Sequence, residues 1–281
     1  MRHGNDSHGL RMLEGRTIAA VVPAYNEAGL IGATLAGIPA FVDDIVVVDD
    51  GSTDGTTQAA RACARRFELL AHRGNLGVGA AIASGSQHAL DRGADVVVVL
   101  AADGQMSPAD LQAVLRPLLD DQADFVKGDR LAWPLARREM PIHRWAGNHV
   151  LSWLTRWALG RRINDSQCGY VALNRRALRT VRWDSLWKGY GYPNDLLSEV
   201  MAGGLRVREV PVRPVYGEER SGIRLRHALV VIPFVIIRAW HRRSGRGAIE
   251  APWPTSTSST AMQTVSAPSP SSAMPTRDKA R

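Results

Sequence analysis

The sequence is poor in cysteine and in lysine. Cysteine occurs only as Cys63 and Cys168, and this pair supplies neither a disulfide framework nor a metal-ligand spacing. A reducing compartment, the cytoplasm, is therefore expected. Lysine occurs only as Lys127, Lys188 and Lys279, so arginine supplies nearly all of the 35 basic side chains.

Acidic side chains number only 27, which leaves a formal net charge of +8. Guanidinium groups bind phosphate through forked, bidentate contacts, so this charge permits phosphorylated small molecules, lipid headgroups or nucleic acid as partners. A genome rich in G and C, which encodes arginine in place of lysine, would explain the same composition.

Long apolar runs are also missing. No run reaches the roughly 18 to 20 residues that a membrane-spanning helix needs, and the N-terminal stretch MRHGNDSHGLRMLEGR lacks the apolar core of a signal peptide. We therefore expect neither secretion nor a transmembrane anchor. Residues 1–15 and 247–281 have no apolar periodicity, and we expect both to be disordered tails.

The first half of the chain alternates short apolar runs with Ala- and Leu-rich stretches of helical length. Runs without polar alternation are typical of strands that are covered on both faces, so the pattern predicts a parallel α/β sheet with helices on both sides. The five predicted strands are 17–22, 44–49, 67–71, 95–100 and 124–128.

Acidic residues follow three of these predicted strands. Glu27 follows the first, Asp49 and Asp50 end the second, and Asp103 follows the fourth. Ligands of doubly wound sheets bind outside the carboxyl ends of the strands. Because carboxylates gathered there would repel one another, the pattern predicts a hard divalent ion, Mg²⁺ or Mn²⁺, completed by phosphate oxygens.

Both acidic motifs also have a purely structural explanation. DDGSTDG is typical of a solvated turn in which Asp54 caps the next helix. Asp103 fits an Asx-turn before a helix that is capped by Ser107 and has Pro108 at its first position. Neither motif alone decides between the two explanations, but acids at three strand ends together favour a ligand site.

The glycine-rich stretch NLGVGAAIASG has two glycines of a dinucleotide-binding fingerprint, Gly77 and Gly79, but Ile82 occupies the third glycine position. We therefore interpret it as a loop that opens a helix and whose backbone, at Gly79, approaches a ligand.

These motifs, in this order, resemble the family 2 glycosyltransferases with a GT-A fold, and within them the dolichol- and polyprenyl-phosphate sugar synthases. The resemblance runs from about residue 17 to 243. It is carried by VVPAYNEAGLI, IVVVDDGSTDGT, NLGVGAAI, ADGQMSPADL, KGDR, NDSQCGY, GYGYPNDLL and VREVPVRPVYGEERSGI. It implies a mostly parallel, Rossmann-like sheet, a nucleotide-sugar donor, a divalent metal, inversion at the anomeric carbon and, in many relatives, a lipid-phosphate acceptor.

The resemblance also implies roles for individual residues. Asp103 would hold the metal on the pyrophosphate, with Gln105 as a second ligand. Arg130 and Arg220 would face a phosphate of the donor or the acceptor. Asp195, in YPNDLL, falls where relatives that glycosylate hydroxyls place an acidic base. The residues that would line the nucleotide are Pro23, Ala24, Tyr25, Glu27, Asp49 and Asp50.

Two positions depart from the pattern of the family. Ala101 replaces the first acid of the usual Asp-x-Asp metal motif, and Val78 stands where many relatives have lysine. We therefore consider three functions: sugar transfer to a polyprenyl phosphate, transfer to a glycan or small-molecule hydroxyl, and nucleotide-sugar binding with weak catalysis. Only a hydroxyl acceptor needs Asp195 as a base, since a phosphate is already anionic. We do not expect a nucleic-acid partner, because acids cluster at the site.

The C-terminal half suggests contact with a membrane surface. We expect one GT-A domain over residues 16–222, followed by an amphipathic membrane-contacting helix over 223–246, whose apolar stretch from Ala228 to Ile237 is flanked by arginines. Residues 142–162 mix tryptophan with arginine in a similar way, which fits either a headgroup layer or packing on the sheet. We therefore expect the protein to lie on the cytoplasmic face of the membrane as a peripheral protein.

Overall fold

The computed structural model describes residues 15–216, 231–243 and 263–266. These residues form one sheet of eight strands. The strands are β1 (Ile18–Ala24), β2 (Asp44–Asp49), β3 (Glu68–Ala71), β4 (Val96–Val99), β5 (Phe125–Asp129), β6 (Val171–Asn174), β7 (Val207–Pro211) and β8 (Gln263–Ser266). Their order across the sheet is β7-β5-β6-β4-β1-β2-β3-β8. All five predicted strands are present, with ends that differ by up to two residues.

The sheet is mixed rather than parallel throughout. Strand β1 pairs in parallel with β2 and β4, β2 with β3, and β5 with β7. Strand β6 runs antiparallel to both of its neighbours, β4 and β5. The chain leaves β5 at Asp129 and returns with Val171 opposite Lys127. The chain re-enters the sheet at the same end at which it left β5, so β6 must run in the opposite direction. The apolar pattern, which predicted parallel strands, did not indicate this antiparallel strand.

Helices cover both faces of the sheet, as predicted. They are α1 (Ile31–Gly37), α2 (Thr56–Ala62), α3 (Val78–Asp91), α4 (Leu111–Leu119), α5 (Ala136–Glu139), α6 (Ile142–Leu159), α7 (Arg175–Thr180), α8 (Tyr192–Ala202) and α9 (Ile232–Arg243). Alternate residues of β1 enter two separate cores. Ala20 packs in the core that contains Leu35 of α1 and Leu115 of α4, and Val21 packs in the core that contains Leu197 of α8. A continuously apolar strand is therefore buried on both sides.

Helix α9 lies within the segment for which a membrane-contacting helix was predicted. Its residues Val235, Ile236 and Ala239 are buried, and α9 packs against α8 and α6. Trp240 stacks on Trp157 of α6, with ring centroids 6.3 Å apart. Val235, Ile236 and Ala239 are thus used inside the protein, whereas Ile237 is exposed. In the described part of the chain, no helix is both long and apolar enough to cross a membrane.

Four residues of the segment 247–281, for which disorder was predicted, belong to the sheet in this structure. Gln263–Ser266 form β8, which pairs antiparallel with β3. Without β8, β3 would be an edge strand with unpaired backbone donors and acceptors, and a further strand satisfies them. The other residues of this segment, residues 1–14 and Arg220 lie outside the described part of the chain.

Candidate active site

A cavity of about 390 Å³ opens at the carboxyl ends of β1, β2 and β4. The start of α3 and the segment that precedes α8 complete its wall. The structure therefore brings together acids from three strand ends, as the sequence pattern predicted. The predicted site residues that line the cavity are Pro23, Ala24, Tyr25, Glu27, Asp50 and Asp103.

Hydrogen bonds join the loop after β1 to the loop after β2. Asn26 adopts a positive φ of 57°, a conformation that asparagine tolerates better than most residues. Its side-chain oxygen accepts from the backbone N–H of Thr53 at 2.9 Å, and its own N–H donates to Ser52 Oγ at 3.0 Å. The N–H of Glu27 donates to Thr56 Oγ1 at 2.8 Å. These bonds hold Glu27 at the cavity.

Asp49 does not line the cavity, contrary to the prediction. One of its carboxylate oxygens accepts from the backbone N–H of Ser52 at 2.9 Å, and the other accepts from Thr57 Oγ1 at 2.6 Å. Both oxygens thus stabilise the turn between β2 and α2. Asp54 has a similar role, because it accepts hydrogen bonds from the N–H groups of Thr56 and Ala28. For these two acids the structural explanation of the motif is correct.

Asp50 does reach the cavity, and three donors fix its carboxylate. The backbone N–H groups of Leu76 and Gly77 donate to it at 3.0 and 2.8 Å, and His72 Nδ1 lies 2.7 Å from Oδ1. The other ring nitrogen of His72 lies 3.0 Å from Ser84 Oγ. Asp50 therefore ties the glycine-rich loop to the end of β2. The sequence interpretation overlooked His72, although its position directly after β3 pointed to this edge of the sheet.

The backbone of Gly79 packs against another segment of the protein. Its backbone N–H donates to the carbonyl of Lys188 at 2.6 Å, and a Cβ at this position would lie 2.0 Å from the carbonyl oxygen of Trp187. The predicted close approach of the backbone exists, but its partner is the segment before α8. The expectation that the loop opens a helix is confirmed by α3, whereas contact between Gly79 and a ligand stays a prediction.

Asp103 faces the cavity from a turn after β4. The backbone N–H of Gln105 donates to its Oδ1 at 3.0 Å, which is the Asx-turn that the structural explanation required. Burial raises the pKa of the nearby Tyr190 phenol, and the negative charges of Asp103 and Glu27 raise that pKa further. Tyr190, Asp103 and Glu27 line one cavity, and both carboxylates are close enough to Tyr190 to interact with it electrostatically. Ala101 lines the same wall, two residues before Asp103.

The donor set fits a metal ion that takes most of its ligands from the substrate. No group of three or more His, Cys, Asp or Glu side chains that could hold a metal occurs among the described residues. Mg²⁺ is commonly held by one or two carboxylates together with substrate phosphates and water, and Asp103 satisfies this need. Gln105, the predicted second ligand, is not among the residues that line the cavity.

Asp195 is not placed to act as a base. It lies in the first turn of α8 and is fully buried. Its Oδ2 accepts from the backbone N–H of Trp187 at 2.9 Å, and its Oδ1 lies 3.1 Å from Arg242 Nη1 and 3.3 Å from Arg238 Nε. Two guanidinium groups from α9 neutralise this carboxylate, and it does not line the cavity. In this conformation Asp195 is paired inside the protein, and its role as a base stays a prediction.

Arg130 is paired inside the protein as well. Its Nε and Nη2 donate to the two oxygens of Asp165 at 2.7 and 3.0 Å. Burial alone would lower the pKa of Arg130, but the adjacent Asp165 carboxylate raises it. This bidentate pair uses the fork that would otherwise bind a phosphate, and Arg130 does not line the cavity. The structure thus pairs this guanidinium with Asp165, and its contact with a substrate phosphate stays a prediction.

A model of glycosyl transferase family 2 matches residues 19–181, which is more than half of the chain. The chain therefore belongs to this family. It is 30% identical over 219 residues to the UDP-N-acetylglucosamine–dolichyl-phosphate N-acetylglucosaminyltransferase of Methanococcus voltae, covering 72% of this chain and 87% of that protein. It is 33% identical to the undecaprenyl-phosphate mannosyltransferase of Micrococcus luteus, covering 69% and 82%. The protein is thus related to the polyprenyl-phosphate sugar synthases.

Solved structures confirm the fold. Glucosyl-3-phosphoglycerate synthase from Mycobacterium tuberculosis in complex with UDP has a TM-score of 0.62 and 23% sequence identity, covering 87% of this chain and 86% of that chain. The same enzyme has been solved with UDP and Mn²⁺ and with UDP and Mg²⁺. That enzyme therefore binds a divalent metal together with UDP.

Proposed function

We propose that this protein transfers a sugar from a nucleotide-diphosphate sugar to a polyprenyl phosphate, with inversion at the anomeric carbon. The observation that carries the choice of acceptor is the burial of Asp195 beneath Arg238 and Arg242. A hydroxyl acceptor needs a base, and the residue predicted for that role is outside the cavity. A phosphate acceptor is anionic at neutral pH and needs none. Two relatives named for lipid-phosphate acceptors support the same choice.

The cavity supports an in-line displacement. The donor would place its diphosphate beside Asp103, where a bound Mg²⁺ or Mn²⁺ would supply positive charge to the departing group. An oxygen of the acceptor phosphate forms a bond to the anomeric carbon while the bond to the diphosphate breaks, and the nucleoside diphosphate leaves. The chain contributes chiefly by orienting the two substrates. Asp50, fixed by three donors, keeps the loop at Gly77 in place for this purpose.

A second candidate function is nucleotide-sugar binding with weak catalysis. Ala101 lines the cavity where the family has the first acid of its metal motif, which leaves Asp103 as the carboxylate of that motif. A site with fewer carboxylates binds a hard cation less tightly. This candidate predicts that a donor stabilises the protein without being consumed.

The acceptor implies a membrane. A polyprenyl chain is held in a bilayer, so the protein must reach the bilayer surface in order to meet the phosphate. We place the protein on the cytoplasmic face as a peripheral enzyme, which agrees with the low cysteine content.

The proposal is tested by incubating the full chain with UDP-N-acetylglucosamine, UDP-glucose or GDP-mannose and a polyprenyl phosphate in detergent, with and without Mn²⁺. One donor is expected to yield a glycosylated lipid phosphate. Asp103→Asn should lower the rate by about a hundredfold or more, because it removes the carboxylate that would hold the metal beside the leaving group. Asp91→Asn, at the exposed end of α3, should not change the rate.

Each alternative gives a different result in the same assay. Transfer to a glycan or small-molecule hydroxyl, with none to the lipid phosphate, would support the second acceptor class. Thermal stabilisation by a donor without turnover would support the binding protein. Full activity of Asp103→Asn would refute the assigned role of this carboxylate.

A further inference from the structure

Helix α6 carries large apolar side chains on its outer face. The four that are most exposed are Ile142 (62%), Val150 (58%), Trp153 (60%) and Trp157 (65%). Spacings of eight, three and four residues place all four along one side of a helix. We call these four residues the α6 stripe. A helix on a protein surface ordinarily directs such residues toward the core.

The inner face of α6 is small and polar instead. Ser152, Thr155 and Ala158 are buried, and Thr155 Oγ1 donates to Asn194 Oδ1 of α8 at 3.0 Å. Ser152 Oγ accepts from the backbone N–H of Ser166 at 3.0 Å. The hydrogen-bonding side chains of Ser152 and Thr155 therefore face the protein, while Trp153 and Trp157 face outward. This inversion shows that the α6 stripe is not a core face that happens to be partly uncovered.

Helix α9 extends the apolar surface. Trp240 stacks on Trp157, and Ile237, one helical turn earlier, is 49% exposed. Three other apolar residues of α9, Val235, Ile236 and Ala239, are buried. The surface for an apolar partner is therefore centred on α6 and not on α9, where the sequence pattern had placed it.

Positive charge surrounds the α6 stripe. Helix α6 contains no acidic residue, and Glu139, the acid closest before it, pairs with Arg213 at 3.4 Å. At the end of the helix, Arg161 and Arg162 line a groove of about 830 Å³ together with Arg208 of the edge strand β7. The arginines between residues 137 and 162 are Arg137, Arg138, Arg144, Arg156, Arg161 and Arg162.

We propose that the α6 stripe docks the protein on the surface of an anionic lipid bilayer. Tryptophan and arginine together suit the layer of headgroups, where apolar rings enter the acyl boundary and cations meet lipid phosphates. A second copy of this chain fits less well, because two α6 stripes face to face would bring their arginines together. This inference rests on the proposed function, since a bilayer of this kind would hold the polyprenyl phosphate.

The experiment measures how the full chain partitions onto phosphatidylcholine vesicles with and without phosphatidylglycerol. The parent should bind the anionic vesicles and bind less as salt is raised. Trp153→Gln should lower the partition constant by about tenfold, because a large apolar side chain no longer enters the bilayer. Leu30→Gln, at an exposed apolar residue before α1, is the matched control and should bind like the parent.

The electrostatic contribution is tested separately. Arg161→Gln and Arg162→Gln should each lower binding to the anionic vesicles by about fivefold and should not affect binding to neutral ones. Arg66→Gln, at an exposed site on the opposite half of the sequence, controls for the loss of one positive charge. Thermal unfolding of every variant shows whether the fold is intact.

The docking proposal is overturned if Trp153→Gln and Leu30→Gln have equal partition constants on anionic vesicles, or if the parent does not bind these vesicles. A parent that elutes as a dimer, and a Trp153→Gln variant that elutes as a monomer, would instead identify the α6 stripe as an interface between copies. Transfer to a detergent-solubilised polyprenyl phosphate separates the two proposals. Its absence in every variant refutes the proposed function without altering the vesicle result.

Discussion

Arg242 of α9 donates a hydrogen bond from Nη1 to Oδ1 of Asp195 in α8, over 3.1 Å. The same guanidinium lies 2.9 Å from Oε1 of Glu199, one helical turn further along α8, and Arg238 lies 3.3 Å from Asp195. Removing one partner of a buried ion pair leaves an uncompensated charge, which costs about 3 to 5 kcal/mol. The cluster therefore binds α9 to the domain.

Asp195→Asn is expected to lower stability and to retain transfer. The amide cannot balance two guanidinium groups, so the free energy of unfolding should fall by about 3 kcal/mol. Transfer to a polyprenyl phosphate, measured at a temperature where the variant is folded, should stay within about tenfold of the parent because Asp195 does not touch the cavity. Asp184→Asn, at an exposed position before α8, should change neither quantity. Loss of transfer with unchanged stability would restore Asp195 as a base.

Gly79→Ala is expected to disrupt the wall of the cavity. A Cβ at Gly79 would lie 2.0 Å from the carbonyl oxygen of Trp187, so the glycine-rich loop and the segment before α8 must separate. We expect a loss of about 2 kcal/mol or more in stability and weaker donor binding by thermal shift. Gly32→Ala in α1 has open space around its Cβ and should be neutral or stabilising, by up to about 1 kcal/mol. Equal effects of the two substitutions would contradict the packing argument.

Ala101→Asp is expected to strengthen metal binding. Ala101 lines the cavity two residues before Asp103, so an added carboxylate there would supply a second ligand of the kind that Mn²⁺ and Mg²⁺ prefer. The concentration of Mn²⁺ needed for half-maximal transfer should fall by about tenfold, or by roughly 1.4 kcal/mol of binding free energy. An unchanged Mn²⁺ requirement would show that Asp103 and the donor diphosphate already suffice.

Asp124→Asn should change how the free energy of unfolding depends on pH. Hydrogen bonds from Arg206 hold the pKa of Asp124 well below its usual value, although burial opposes this. A depressed carboxyl pKa stabilises the fold above the unfolded value near 4, and this stability is lost as the pH falls through the folded value. The variant should therefore lose about 2 kcal/mol at pH 7 and progressively less below about pH 4.

The control for this pH dependence is Asp121→Asn. Asp121 pairs with Arg16 at 3.0 Å, and its side chain is 67% exposed. Exposed ion pairs contribute about 0 to 1 kcal/mol, so denaturant unfolding at pH 7 should hardly change. If the free energy of unfolding changed with pH in the same way for Asp124→Asn and for the parent, the assigned contribution of Asp124 would be contradicted.

The strands could be predicted where burial on both faces leaves a continuous apolar signal. Strands β1, β2 and β4 are such runs. Strands β6 and β7 were not predicted, because VALN is only four residues long and VREVP is a partly exposed edge strand with Arg208 among its residues. The antiparallel direction of β6 depends on where the chain returns after α6, which local sequence does not determine.

The edge of the sheet that holds the site could be predicted, but not which neighbouring acid faces it. Asp49 and Asp50 are adjacent and chemically identical. The hydrogen bonds of the turn direct Asp49 to Ser52 and Thr57, and those of the glycine-rich loop direct Asp50 to the cavity. The partners of Asp195 arrive from α9, more than forty residues later, so its neutralisation is a result of tertiary packing that no local motif encodes.

The ion cluster between α8 and α9 has a practical consequence for anyone who shortens this chain. The expected domain boundary at residue 222 would remove Arg238 and Arg242, and the interior would keep two negative charges, on Asp195 and Glu199, without these cations. A fragment meant for crystallisation should therefore retain α9, and it should also retain β8, which pairs with β3. Ending it before α9 would leave the carboxylates of Asp195 and Glu199 buried without the two guanidinium groups of α9.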